Sequence, residues 1–315
     1  MLSRTADHLY WMSRYTERAE NLARMLQVNI RMALLQRHGD EPDRAWAATL
    51  AMLGQLQAYG ARHDAVRPDD VLRFLAFDAD NPGSIVSDLH AARENARAVR
   101  GTITSEQWET INDTWLELHG RRLEGLTTDE LTDFFEWVKF RSHLLRGVTQ
   151  GTMLRDEGFD FTRIGTFLER ADNTTRLLDV QLQLLAPEGV DEETPADYYK
   201  YSALLASVSA FEIYRKVYRD RITPARVAEL LILREDMPRS LHRCVNELVI
   251  HLAAVANDQS SETLRRTGAL QARLRYGRID QILEQGVHEF LDGFLLRIRD
   301  IGGRIAQDFL VSAAS

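Results

Sequence analysis

One segment of this 315-residue chain is written twice. Tyr15-Thr16-Glu17-Arg18-Ala19-Glu20-Asn21-Leu22-Ala23-Arg24-Met25-Leu26-Gln27-Val28 lines up without a gap on Phe167-Leu168-Glu169-Arg170-Ala171-Asp172-Asn173-Thr174-Thr175-Arg176-Leu177-Leu178-Asp179-Val180, an offset of 152 residues. A weaker match follows in the same order, Asp80-Asn81-Pro82-Gly83-Ser84-Ile85 against Asp236-Met237-Pro238-Arg239-Ser240-Leu241, at an offset of 156. Two ordered matches at nearly one offset are the signature of a duplicated unit. The expectation is an all-α helical bundle made of two diverged, pseudo-symmetric copies of a multi-helix unit. The first spans residues 1–157 and the second 158–315, with the boundary near Gly158 and the two packed as one globular unit.

Proline placement supports helices. The seven prolines fall at 42, 68, 82, 187, 195, 224 and 238, which leaves residues 83–186 and 239–315 free of helix breakers. Apolar residues at helical spacing predict a first helix over 3 to about 36, ended by the polar turn at residues 38–43. A second helix fits 44 to about 60 and a short one 70–77. Asn81-Pro82 reads as a cap with proline at the first helical position, opening a helix to about 100. Thr104-Ser105-Glu106-Gln107 and Thr127-Thr128-Asp129-Glu130 read as capping boxes, the second opening a helix to about 155. The second copy closes with a helix predicted over 278 to about 310. Nothing in the pattern resembles strands joined by hairpin turns.

Composition excludes several classes. The one cysteine, Cys244, permits no internal disulfide and no cysteine-based zinc site, and it lies in an apolar helical run that suits a small buried hydrophobe. The opening residues lack the apolar core of a signal peptide, and no stretch approaches the roughly 20 uncharged apolar residues of a membrane span. A cytoplasmic location, with no membrane, is expected. A net charge of −8 and a pI near 5.7 argue against broad nucleic-acid binding. All but three basic residues are arginines, which suits buried ion networks, although a high-GC genome gives the same bias.

At about 100° per residue, Glu17, Glu20, Asn21 and Arg24 form one stripe opposite Tyr15, Ala19, Leu22 and Leu26. Glu169, Asp172, Asn173 and Arg176 repeat it opposite Phe167, Ala171 and Leu178. Each helix is thus expected to have a packing face and a charged face. Two readings stay open. In one, the stripes form an ion network at the joint between the halves, pairing Glu17 with Arg24 and Glu169 with Arg176 or their crossed equivalents, which fixes register while adding little stability. In the other, they line a polar cleft in which Arg18, Glu20, Asn21, Arg24, Arg170, Asp172, Asn173 and Arg176 bind an anionic group while Glu17 or Glu169 acts as general base. Ser84 and Ser240, each in the first turn of a helix, and the stripe Arg93, Arg97, Arg100 are either caps with a solvated basic face or a phosphate or carboxylate site. No metal and no cofactor is expected: no His-x-x-x-His pair occurs among the nine histidines, and there is no glycine-rich phosphate loop or nucleophile elbow.

The opening Met1-Leu2-Ser3-Arg4-Thr5-Ala6-Asp7-His8-Leu9-Tyr10-Trp11-Met12, continued through Tyr15-Thr16-Glu17-Arg18-Ala19-Glu20-Asn21, closely resembles the start of the bacterial alpha-E domain family. The segments 80–85, 92–97 and 164–172 resemble it too, with Gly83 where members often carry Ser and Thr166 where many carry Arg. The resemblance implies an all-helical protein encoded beside, and sometimes fused to, circularly permuted ATP-grasp proteins and transglutaminase-like or amidohydrolase proteins. It implies no catalytic residues. The expected function is an accessory or substrate-binding subunit of an ATP-grasp-linked system for peptide synthesis or modification. Its partners would be an ATP-grasp-type ligase and a peptide or amino-acid substrate, with room for a homo-oligomer and none for nucleic acid. The alternative is an enzyme of the same system that applies the Glu/Arg stripe to an acyl or aminoacyl intermediate.

Overall fold

The structure is a computed structural model that describes residues 1–35, 42–121, 125–183 and 195–310. Among the described residues every regular element is an α-helix. The predicted turn at 38–43 lies largely outside the described residues, which resume at 42. Contacts divide the chain into two compact units, Met1–Thr166 and Phe167–Ser315.

The first unit is organised around α1 (Ser3–Leu35), 33 residues and about 50 Å long at 1.5 Å per residue. Around it stand α2 (Pro42–Met52), α3 (Leu56–Gly60), α4 (Pro68–Ala76), α5 (Ile85–Ala98), α6 (Ser105–His119), α7 (Thr128–Thr152) and the opening turns of α8 (Glu157–Gln183). α1 packs chiefly on α5 and α7. Its apolar Leu9, Met12, Leu22, Ala23 and Leu26 are at most 2% exposed, and so are Glu17 and Glu20. Residues 19–27 are buried on every side. The expected division into a packing face and a charged face therefore fails for α1, because α7 covers the charged stripe.

The second unit holds the rest of α8, then α9 (Pro195–Ser207), α10 (Phe211–Tyr218), α11 (Pro224–Ile232), α12 (Leu241–Ala254), α13 (Ser261–Arg275), α14 (Ile279–Gln285) and α15 (Val287–Phe309). Helix α13 packs on both α12 and α15. Leu231, Leu241, Cys244, Leu248 and Ile305 are wholly buried in its core.

Both predicted capping boxes form: Thr104 and Thr127 accept from the backbone N–H of Gln107 and Glu130, whose side chains return to the cap N–H groups. Three predicted boundaries move. The helix expected over 44–60 breaks into α2 and α3 at Gly54, whose φ of 69° lies in the left-handed region that L side chains avoid. The long C-terminal helix divides into α14 and α15 at Gly286, φ 102°, for the same reason. The helix after Asn81-Pro82 begins only at Ile85, because Asn81 is used elsewhere. Its amide donates to the Phe74 carbonyl and its Oδ1 accepts from Gly83 N–H, so Ser84 becomes the cap and accepts from Ser87 N–H.

Gly165 lets the opening turns of α8 come close against α1. A Cβ there would stand 2.2 Å from Ser13 Oγ and 2.3 Å from the Tyr10 carbonyl oxygen, and that oxygen is backbone and cannot rotate away. A Cβ on Gly83 would meet only the amide group of Gln55, the far end of a flexible side chain. We expect Gly165→Ala to cost about 2–3 kcal/mol through overpacking, while Gly83→Ala stays within about 0.5 kcal/mol. Urea unfolding of the two variants checks this; equal midpoints would refute the tight crossing.

Candidate functional site

The charged stripe of α1 meets α7 inside the first unit. Glu20 is wholly buried. Its Oε1 accepts from Arg24 Nε at 2.9 Å and from a terminal Arg24 nitrogen at 2.8 Å. Its Oε2 accepts from Ser142 Oγ at 2.7 Å and lies 2.5 Å from Arg146. The same Arg146 nitrogen donates to Glu17 Oε2 at 2.9 Å. One turn beyond, Gln27 donates to Glu136 at 2.7 Å and accepts from Lys139 at 2.7 Å. Partial burial pushes the Glu136 carboxyl up, but the hydrogen bonds from Lys139 and Gln27 outweigh it and leave its pKa lowered.

His143 caps the cluster on its exposed side. Arg24 approaches its Nε2 at 3.1 Å and Arg146 its Nδ1 at 2.8 Å. A neutral imidazole offers one lone pair, so it accepts from only one of these two guanidinium groups at a time. Beside Glu17 and Arg146 lies a cavity of about 30 Å³, with Met12, Leu145, Thr16, Thr149, Arg163 and Thr166 in its wall. That is room for about two water-sized groups.

The remaining predicted residues are placed separately. Arg18 lies 3.9 Å from the fully buried Asp88 and over the Tyr15 ring, and Asn21 is buried. In the second unit Glu169 and Arg170 are buried. Arg170 donates to the Pro238 carbonyl at 3.4 Å and stacks over Phe167. Arg176 donates to Asp172 at 2.6 Å, and both are partly exposed, as is Asn173. Arg24 with Glu20 and Arg176 with Asp172 are thus i, i+4 pairs at matching motif positions. Ser84 and Ser240 are N-caps whose hydroxyls accept from Ser87 and Arg243 N–H. Arg93 donates to Asn112 and Glu94, Arg97 pairs with Glu94, and Arg93 and Arg100 lie over the Trp108 ring.

The α7 partners Glu136, Lys139, His143 and Arg146 were missed from sequence. Their spacing of three, four and three residues is a polar helical stripe that could have been read. So was a group in the second unit: Asp179, His288 and Asp292 present possible ligand atoms within 4.8 Å of one another. Both ring nitrogens of His288 already face carboxylates, Nδ1 toward Asp179 and Nε2 toward Asp292 at 3.4 Å. An imidazolium bridging two aspartates accounts for that geometry. The hydrogen bond to Asp179 raises the His288 pKa above 6.5, against a small opposing effect of burial.

Fold and site together define an all-α protein whose longest central helix carries a buried acid–arginine network. Residues 1–310 match the Alpha-E family, described as a predicted alpha-helical domain with a conserved ER motif, and the chain belongs to that family. Glu-Arg occurs twice, at Glu17-Arg18 and Glu169-Arg170. The chain is also 26% identical to uncharacterized proteins of Mycobacterium bovis and of Mycobacterium tuberculosis strain CDC 1551, and 25% identical to one of strain H37Rv. Each likeness covers 95% of this chain but 36% of the relative, so the chain spans about a third of the length of these curated relatives. No solved structure matches the chain. Among the described residues no helix is long and apolar enough to cross a membrane.

Two outcomes follow. Arg146→Ala leaves Glu17 and Glu20 short of a shared donor in the interior; since the arginine is 26% exposed, we expect a loss of roughly 2–4 kcal/mol. Adding Glu17→Gln to that variant should return part of the loss, and a double-mutant cycle with strictly additive losses would show that the pair does not interact. For His288 the folded pKa is the higher one. Its contribution is complete below pH 6.5 and fades as pH rises through the folded value. NMR titration should place His288 above 6.5, and Asp179→Asn should bring it down.

Proposed function

We propose that this protein is a non-catalytic accessory subunit, working in the cytoplasm beside an ATP-grasp-type ligase that joins or modifies peptides or amino acids. The observation that carries this reading is the inaccessibility of the acids. Glu17 and Glu20 are 1% and 0% exposed and are held by Arg146, Arg24 and Ser142. The adjoining cavity, about 30 Å³, is roughly a tenth of what small-molecule sites enclose. A network that closed serves as scaffold, and the absence of a phosphate loop or nucleophile motif agrees. The ligase enters through the family resemblance, whose members are encoded beside and sometimes fused to such proteins. The relatives agree in form, since they carry this unit as about a third of a longer polypeptide.

The same reading treats the chain as two diverged copies of one helical unit. Helices α4 and α11 are both nine residues and open on proline, α5 and α12 are both 14, and α6 and α13 are both 15. Each member of a pair begins 156 residues after the other, and Ser84 and Ser240 cap at that same offset. Equal lengths at one offset support common descent of the halves.

A second reading, an enzyme with Glu17 or Glu169 as general base, draws on one feature: Arg146 is partly exposed and His143 exposed, so a single side-chain movement would open the cluster to solvent. Reconstitution with the neighbouring ligase separates the two. The accessory reading expects co-purification and a change in product yield, by mass spectrometry, that Glu17→Gln and Glu169→Gln leave in place. Correctly folded variants that abolish product would establish the enzyme, and a chain that neither binds the ligase nor alters its turnover would sink both.

A further inference from the structure

Two arginines of the second unit gather on one stretch of α15 with no acid to hold them. Arg273 reaches across from α13 and lies over the ring of Phe290, its guanidinium carbon 5.1 Å from the centroid. Arg297 leaves α15 two turns beyond Phe290, but its head folds back and donates to the Gly293 carbonyl at 2.5 Å. Phe290, Gly293 and Arg297 share one helix face, so both cations come to the same place. A Cβ on Gly293 would stand 3.0 Å from the Arg297 nitrogen, and the bare backbone is what seats it. Partial burial, and then the neighbouring charge of Arg297, lower the Arg273 pKa. Both side chains are exposed, and every acid on the two helices is engaged by another residue. Glu262 holds Arg265 and Arg266, Asp292 faces His288, and Asp300 lies between Arg266 and Arg304. Glu289 and Asp308 accept from Gln285 and Thr263. Among the described residues neither Arg273 nor Arg297 has an ion pair.

We propose that Arg273 and Arg297 are the two jaws of a phosphate-binding site on the face shared by α13 and α15. Charge and donor count select phosphate over carboxylate. Two guanidinium forks offer two positive charges and several N–H donors, which a dianion with three terminal oxygens satisfies, whereas one carboxylate answers a single fork. Stacking on Phe290 holds one jaw and the Gly293 carbonyl the other, so little side-chain freedom is lost on binding. The ligand is free phosphate or the phosphate end of a small monoester.

Calorimetric titration of the full chain with inorganic phosphate, glycerol phosphate and acetate tests this, at low ionic strength where exposed charges are least screened. We expect both phosphates to bind, the tighter one telling free ion from monoester, and acetate to bind roughly tenfold more weakly or worse. Arg273→Gln and Arg297→Gln should each weaken phosphate binding roughly tenfold or more without changing the circular dichroism. Arg299→Gln, at an exposed arginine of the same helix, should leave it unchanged. In NMR spectra the Nε–H signals of Arg273 and Arg297 should move on adding phosphate while that of Arg299 stays. A chain that binds neither phosphate overturns the proposal. So does acetate binding as tightly as phosphate, phosphate binding that survives both jaw substitutions, or binding that Arg299→Gln weakens equally.

Discussion

Two carboxylates without exposure, on the helix at the centre of the first unit, set the terms for everything packed around them. Removing an ion from water costs several kcal/mol unless charge and hydrogen bonds are returned to it. Here they are returned by Arg24 one turn along α1 and by Ser142 and Arg146, one turn apart on α7. A shift of α7 by a residue would swing Arg146 away by 100° and take its charge from both acids, with only α1's own Arg24 moving with Glu20. The network therefore specifies the register of α7 on α1 more than it adds to net stability. The tight approach at Gly165 sets the opening turns of α8 against the same helix.

The broad architecture was legible because it depends on local chemistry. Proline spacing, helical periodicity and the boxes at Thr104 and Thr127 are decided within a few residues of chain. The breaks at Gly54 and Gly286 were hidden because apolar periodicity runs through them, and only the backbone reveals that they adopt positive φ. Asn81 misled for a related reason: asparagine caps helices and also builds turns, and contact with the Phe74 carbonyl chose the turn. As for the site, the pattern put Glu17, Glu20, Asn21 and Arg24 on one stripe, and the structure joins Glu17, Glu20 and Arg24 in one network. Whether a stripe meets water or another helix depends on residues more than 100 positions away, and periodicity within α1 carries no information about them.

The two faces of α7 separate two roles in one element. Its inner face is bound to α1 by charge, while Phe140 and Leu144 on its other side are exposed. Such a division would suit the accessory role proposed above, because exposed residues can diverge without disturbing the fold beneath them. The longer mycobacterial relatives fit that economy, with the unit joined to further sequence.

Cys244 lies wholly buried in α12, and it is the chain's one thiol. A thiol reagent can reach it only when the second unit opens, so the modification rate under native conditions measures that opening directly. With no competing cysteine, the protein carries a built-in kinetic clock for half of its own structure, readable without a label or a substitution.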